Sequence, residues 1–534
     1  MFWLSGEISA LAYHELTKHS EEKLQFSRPS LDWNNRPFPF KVYREMAGKS
    51  LPGEFPDPMT PTFQALQTKS SKNAPSNLTL DKIAELLFYS GGITRITRTG
   101  VGPLYMRAAS ATGALYPIEI YIATRELPQL EQGIYHFGVA DFSLTKIRSD
   151  PKLHSISKAV GDSESVLSSQ AIFFFTSIAW RNSWKYEERS YRHWYWDGGT
   201  LLANFLAIAE AESIPYKLIV GFIDQEINDL LLLEAEKEAT IAAVAVGMAS
   251  NPLKAQIAQS DTGTKIPASY PLSTIEARHQ VIWDIHKKTS IFSSEGLRSW
   301  TSASDSCEFS LKGGASDRFD DYSKVGIQKS LRDTILMRGS SRRFSTVPIR
   351  IDDLSRILYS SLRGMNADFL KNSEESFVYI YLIVNSVEGL TPGSYYYQSS
   401  SNSLLQLKSG TFRRISGYLC LGQSLFSDAS VLLFLMADLT NIISHFGDRG
   451  YRMAQLEGGM VAGKLYLSSY ALGLGASGST FFDDDVTTFF SPHAEKKDTL
   501  IAVGIGIPGY KAKSGRKLPI RLSREKLEEL ATKK

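Results

Sequence analysis

The chain has 534 residues, too many for one hydrophobic core and suited to two domains of ordinary to large size. Its 43% hydrophobic and 22% charged residues are those of an ordinary globular protein, and a net charge of +3 gives no argument for nucleic acid or an acidic membrane surface. The cysteines Cys307 and Cys420 lie in no metal-like spacing, which argues against a zinc site or a disulfide framework and for reduced thiols in a cytosol.

The N-terminus MFWLSGEISALAYHELTKHS carries Glu7 inside its apolar part with no basic region ahead of it, which argues against a secretory signal. Residues 1–75 are rich in Pro, Asn and Ser and read as an arm, with RPSLDWNNRPFPFKVY extended along a surface. TLDKIAELLFYSGG predicts a helix with Asp81 in its first turn, closing at Gly91. Ser110, Ala111, Thr112 and Gly113 then form a small-residue turn before a strand, a surface that a flat ring could lie against. PIEIYIAT and AIFFFTSI read as buried strands. DGGTLLANFLAIAEAESI reads as a long apolar helix, with Asp197 capping its start where N–H groups are unpaired.

Residues 251–325 are polar and Ser-rich, a linker with one predicted helix at STIEARHQVIWDIHKK. Beyond it the order recurs: a helix at IDDLSRILYSSLRG, strands at FVYIYLIV and SVLLFLMAD, and a long helix at GGMVAGKLYLSSYALGLG, with Glu457 in the capping place. The apolar run near residue 430 is too short to span a bilayer. Alternating helices and strands imply a layered α+β or α/β domain in each half.

The halves are copies. Arg189, Tyr191, Arg192, Asp197, Gly198 and Gly199 match Arg449, Tyr451, Arg452, Glu457, Gly458 and Gly459 at a constant offset of 260, which also carries IYIAT onto IYLIV and GIYHF onto GSYYY. Agreement of three segments on one spacing marks a tandem repeat of a whole domain, with copy 1 at 76–250 and copy 2 at 326–534.

Chemistry is sought where the copies differ. Copy 2 carries Arg338, Ser340, Arg342 and Phe344 as R-x-S-x-R-x-F, and two guanidiniums beside a hydroxyl can grip a phosphate through forked hydrogen bonds. Copy 1 has QALQTKSSKNA there, without arginine. Copy 2 also holds the glycine-rich LGLGASGSTFFDDDV, which lets backbone N–H groups approach a ligand, and a basic cluster at Lys511, Lys513, Arg516 and Lys517. Read singly, the arginines suit a solvated helix entrance and the basic cluster a solvated tail. No G-x-G-x-x-G enters a helix, so a Rossmann site is not supported. Copy 1 keeps the small-residue turn, where copy 2 has the bulkier LKNS, and it keeps Lys185–Tyr186 where copy 2 has His445–Phe446. An adjacent Lys–Tyr pair is by itself an ordinary occurrence, and Trp194, Tyr195 and Trp196 read equally as packing. Each half has lost what the other keeps.

Together these segments resemble the nitroreductase superfamily, and within it the SagB/ThcOx-type dehydrogenases that oxidise azolines to azoles in ribosomal peptide natural products. The carriers are R-x-S-x-R-x-F, SATGALYPIEIYI, VEGLTPGSYYY, KYEERSYR and FGDRGYR. The resemblance implies two tandem nitroreductase-like domains forming an intrachain pseudo-dimer that keeps one composite FMN site. Arg338, Ser340, Arg342, Lys513 and Arg516 would hold the phosphate, Gly478 and Ser479 would line the flavin edge, and Ser110, Ala111, Thr112 and Gly113 would close over the ring. Lys185 and Tyr186 would deprotonate the substrate, the ammonium favouring phenolate. The implied substrate is a peptide or small molecule, with oxygen as electron acceptor and with partner biosynthetic enzymes. Neither nucleic acid nor membrane is implied, and a monomeric cytoplasmic protein is compatible. An NAD(P)H-dependent nitro or quinone reductase, and a non-catalytic scaffold binding an enzyme or leader peptide, stay open beside it.

Overall fold

The computed structural model describes residues 8–26, 31–57, 59–67, 78–100, 102–161, 163–253, 265–312 and 329–532. The boundaries expected near 75 and 325, and most of the copy 1 segment opposite the arginine motif, lie outside them. Copy 1 is built on an antiparallel sheet in the order Ser143–Arg148, Gly133–Gly138, Ile118–Thr124, Ala171–Ile178, Glu238–Val246 and Tyr216–Ile219. Copy 2 repeats that order with Ser403–Ser409, Gly393–Gln398, Tyr379–Val384, Val431–Ala437, Asp498–Pro508 and Gly475–Ser479. Every residue of Ala171–Ile178 and of Val431–Ala437 is buried. Both strands are covered on both faces, which is why their sequences run apolar without alternation. The architecture is mixed helix and sheet, two copies of one layered domain.

Between the sheets, the helices Ser190–Ala211 and Arg449–Ala471 pack against each other along their length. Both begin well before the Asp/Glu-Gly-Gly motif, so Asp197 and Glu457 are mid-helix residues and not the helix caps expected from sequence. The glycines mark the crossing point instead. A Cβ on Gly199 would stand 2.5 Å from the Leu456 carbonyl oxygen, and one on Gly459 2.6 Å from that of Trp196. A mid-helix glycine costs about 1 kcal/mol relative to alanine, a penalty accepted here because no side chain fits between the backbones.

Two buried clamps reinforce the crossing. Arg189 and Arg192 of copy 1 bond Asp483 of copy 2 at 3.0 and 2.8 Å. Reciprocally, Arg449 and Arg452 of copy 2 bond Asp224 of copy 1, Arg449 at 2.7 Å. Each clamp is completed by an N-terminal helix. Arg192 donates to the His14 carbonyl at 2.6 Å, from helix Ala10–Leu16, and Arg452 to that of His286 at 2.6 Å, from helix Gln280–Lys288.

The arm is therefore not merely extended: its first described turn is a helix with Tyr13 and His14 buried. The linker likewise holds the second repeat's own copy of that helix, His14 and Thr17 matching His286 and Thr289 at an offset of 272. It also holds a further helix, Ser294–Ser306, while residues 273–279 of the predicted helix are not helical. At the other end, copy 2's tail is stitched onto copy 1 and the arm: Leu522 donates to the Ala140 carbonyl at 2.8 Å, and Arg524 to that of Tyr43 in the arm at 2.7 Å. No helix among the described residues is long and apolar enough to cross a membrane.

Burial works to raise the Asp224 carboxyl, yet Arg449 and Arg452 overcome it and hold it at about 2. A carboxyl depressed in this way contributes stability that is present above its unfolded value near pH 4 and is lost as pH falls through about 2. Replacing Asp224 with Ala, which leaves two guanidiniums buried without a counter-charge, is expected to cost about 3–5 kcal/mol in urea unfolding. A loss below about 1 kcal/mol, the worth of an exposed pair, would show that the clamp carries no stability.

Candidate functional site

The helix Leu331–Met337 ends at Arg338, which turns inward and is 8% exposed. Its Nε donates to the Ala108 carbonyl at 2.8 Å and its Nη2 to the Arg107 carbonyl at 3.2 Å. Copy 2's first motif arginine thus grips the copy 1 strand that leads into the Ser110–Gly113 turn. No carboxylate of the described residues pairs with it. Burial pushes the guanidinium's pKa down, and the nearby Arg95 charge adds to the push.

Around Arg338 the other motif residues assemble from copy 2. The Ser340 hydroxyl lies 3.3 Å from the Tyr466 hydroxyl, which accepts from the Gly478 N–H at 2.5 Å. The Ser479 hydroxyl accepts from Gln423 at 3.0 Å and donates to the Thr480 carbonyl at 2.7 Å. Arg342 is exposed at the rim, its N–H donating to the Tyr510 hydroxyl at 3.3 Å. Lys513 and Arg516 are exposed too, but the segment is no free tail: Gly515 N–H donates to the Leu336 carbonyl at 2.7 Å and Arg516 N–H to the Thr94 carbonyl of copy 1 at 2.8 Å.

Copy 1 builds the facing wall. Gly113 adopts a φ of +60°, and a Cβ there would lie 2.7 Å from the Tyr186 hydroxyl. The turn is held from the crossing point below: Asp197 accepts from Thr112 N–H and from its hydroxyl, both at 2.7 Å, and Thr200 donates to the Ser110 carbonyl at 2.8 Å. Burial pushes the Asp197 carboxyl up to about 6 although Thr112 and Asn182 hydrogen bonds oppose it. Lys185 and Tyr186 close the helix Ala179–Tyr186, with the Lys185 ammonium over the Tyr186 ring at 5.2 Å.

The ammonium lies over the face of the ring. Burial, with the Asp197 charge added, holds Tyr186 well above the ordinary phenol range. Burial and the Arg36 charge push Lys185 down, making its amine the member nearer to giving up a proton.

Two further residues belong here that sequence reading passed over. Arg95, on the hairpin Ile93–Arg107, has its Nε buried without a partner among the described residues. His193 packs edge to face on Tyr186, ring centroids 4.6 Å apart, with Nδ1 buried and unpartnered among the described residues. Burial first, then Arg189, His19, Arg192 and Lys185, keep the imidazole neutral. The 260 offset held a signal for His193, since copy 2 places Met453 there as it places Phe446 opposite Tyr186. For Arg95, unmatched in any motif, there was none.

The assembled residues fit a group with a phosphate at one end and a flat ring at the other. The cationic end is Arg95 and Arg338, with no carboxylate among the described residues paired to Arg338, and the ring end is framed by the Gly113 turn under the Tyr186 hydroxyl and by Gly478. No group of His, Cys, Asp and Glu among the described residues could hold a metal ion. Replacing Gly113 with Ala is expected to cost about 1–2 kcal/mol for its left-handed backbone and to dislodge Tyr186. An unfolding free energy within a few tenths of wild type would mean that the turn has another conformation.

No family model matches the chain. A Methanocaldococcus jannaschii protein named a candidate nitroreductase is 27% identical over 161 residues, 29% of this chain and 81% of that protein. A crystal structure from Anabaena variabilis, also named a candidate nitroreductase, covers 93% of this chain and 99% of its own with a TM-score of 0.72 and 26% identity. Both likenesses support the nitroreductase superfamily. The second runs nearly the whole length of both chains, so the tandem two-copy fold is a nitroreductase fold.

Proposed function

We propose that the chain is an FMN-dependent oxidoreductase that oxidises a peptide-type heterocycle, such as an azoline, to its aromatic azole. The observation that carries the reading is the Tyr186 hydroxyl standing over Gly113 with Lys185 on its ring, at the place where copy 2's arginine motif meets copy 1's turn. Arg338, Ser340, Arg342, Lys513 and Arg516, joined by Arg95, would hold the phosphate. Ser110, Ala111, Thr112 and Gly113 would cover the ring, and Gly478 and Ser479 would line its edge. When bound, FMN supplies the acceptor for one hydrogen and its bonding pair.

The second hydrogen leaves as a proton, and this chain's residues take it. Lys185, pushed toward the neutral amine, is the proton acceptor, and protonated Tyr186 donates a hydrogen bond that orients the heterocycle above the turn. Trp196, its ring centroid 4.9 Å from that of His193, backs the His193–Tyr186 pair. The names of the similar proteins favour a second reading, reduction of a nitro compound or quinone, which uses the same cofactor place and needs no base.

Joint replacement of Arg338 and Arg342 with Ala is expected to weaken FMN binding by about 100-fold, two charge-assisted contacts being lost. Flavin content equal to wild type would remove the phosphate assignment. Replacing Lys185 with Met is expected to abolish azoline oxidation while FMN stays bound, and the wild-type rate is expected to rise with pH through a pKa below that of ordinary lysine. Oxidation that survives the replacement, or a rate flat across that range, would sink the base assignment and move the weight to the reductase.

A further inference from the structure

The mirror half of the pseudo-dimer differs from the composite site in what fills it. There Phe446 stands where Tyr186 stands in copy 1 and His445 where Lys185 stands, and Gly221 lies just past the strand Tyr216–Ile219, which matches Gly475–Ser479 in copy 2. The linker helix Ser294–Ser306 inserts Trp300 into this half. Trp300 is 4% exposed, and its ring centroid lies 5.3 Å from that of Phe446. The indole rests directly on Gly221, where any Cβ would collide with it.

Asp368 completes the filling. Its carboxylate accepts from the backbone N–H groups of Val220, at 3.0 Å, and Gly221, at 2.7 Å. Copy 1 has Ala108 at the matching position, which offers no carboxylate there. The insertion is anchored at both ends. His445 Nε2 donates to the Ala303 carbonyl at 2.8 Å, Ser304 donates to the Asp368 carbonyl at 2.7 Å, and Asp368 N–H donates to the Leu218 carbonyl at 2.9 Å.

Three substitutions around the indole run one way. Tyr186, His193 and His19 in the open half become Phe446, Met453 and Ile291 in the mirror half, each polar ring replaced by an apolar group. An apolar lining suits a buried indole and would leave the polar edge of a bound ligand unmet.

We infer that Trp300 and Asp368 stand in, within the mirror half, for a flat aromatic ring and the acceptor on its edge, so that the chain loads one cofactor and fills the second position from within. This rests on the reading of the Ser110–Gly113 turn and the Gly478–Thr480 loop as the ring site. The mirror position is then a mould for a planar aromatic of indole size.

Two measurements on the full-length protein test it. Flavin-stripped wild type is titrated with FMN by quenching of flavin fluorescence, and Trp300→Ala is melted with and without free indole. One FMN per wild-type chain is expected, together with a lowered Tm for Trp300→Ala that indole restores by at least half while leaving the wild-type Tm unmoved. Two FMN per wild-type chain, or a variant Tm that indole does not change, overturns the inference. Zero FMN removes the proposed function instead, and the indole experiment still decides whether the mould exists. If Trp300→Ala does not fold, Trp300→Leu with benzene, the smaller ring, gives the same readout.

Discussion

Close approach of two helices is the constraint on which everything else here depends. The helices Ser190–Ala211 and Arg449–Ala471 meet where neither can carry a side chain, at Gly199 and Gly459, and the arginines about two and three turns earlier reach across to Asp483 and Asp224. Guanidiniums this deep cannot shed their charge, so each clamp must be satisfied by the opposite copy. The halves are held in one relative orientation by chemistry that neither half contains alone.

The site inherits its geometry from that crossing. Asp197, one residue before the glycines, fixes Thr112 and with it the Ser110–Gly113 turn, while Thr200, one residue after them, fixes Ser110. Arg338 arrives from the other copy onto Ala108, immediately ahead of the same turn. A shift of the helices by a fraction of an ångström would therefore be felt at the turn, at Tyr186 above it and at the arginine beside it. The polar character of Asp197 looks wasteful in a buried helix until its two contacts with Thr112 are counted.

Much of this was legible in the sequence, for reasons that can be named. Continuous apolar runs marked the buried strands, and the 260 offset exposed the repeat because strands and central helices cannot change length without breaking a sheet or a clamp. The Asp-Gly-Gly motif was misread as a helix start because a carboxylate before two glycines looks the same whether it caps a helix or spans a crossing. Only the opposing helix distinguishes them. The Ala10–Leu16 helix hid in a segment dominated by turn residues, and its kinship with Gln280–Lys288, which falls within the helix expected at 273–288, rests on a short pattern at a different offset. Residues with no motif partner, Arg95 above all, became visible only through what they lack. The direction of influence between Lys185 and Tyr186 also could not be read from adjacency, since it depends on which face of the ring the ammonium meets.

A protein that assembles this fold from two identical chains makes every substitution twice, once on each side of its axis. A tryptophan that fills one position would then fill both, and a histidine retained beside one tyrosine would be retained beside both. Joining the copies through residues 251–325 lifts that rule. The linker helix Ser294–Ser306 and the arm helix Glu21–Phe26, which match at the 272 offset, are then free to differ in sequence and in what they cover. Single-chain connectivity is thus what permits one half to specialise in holding the fold closed while the other is shaped for a ligand, a division of labour that a genetically symmetric pair cannot reach.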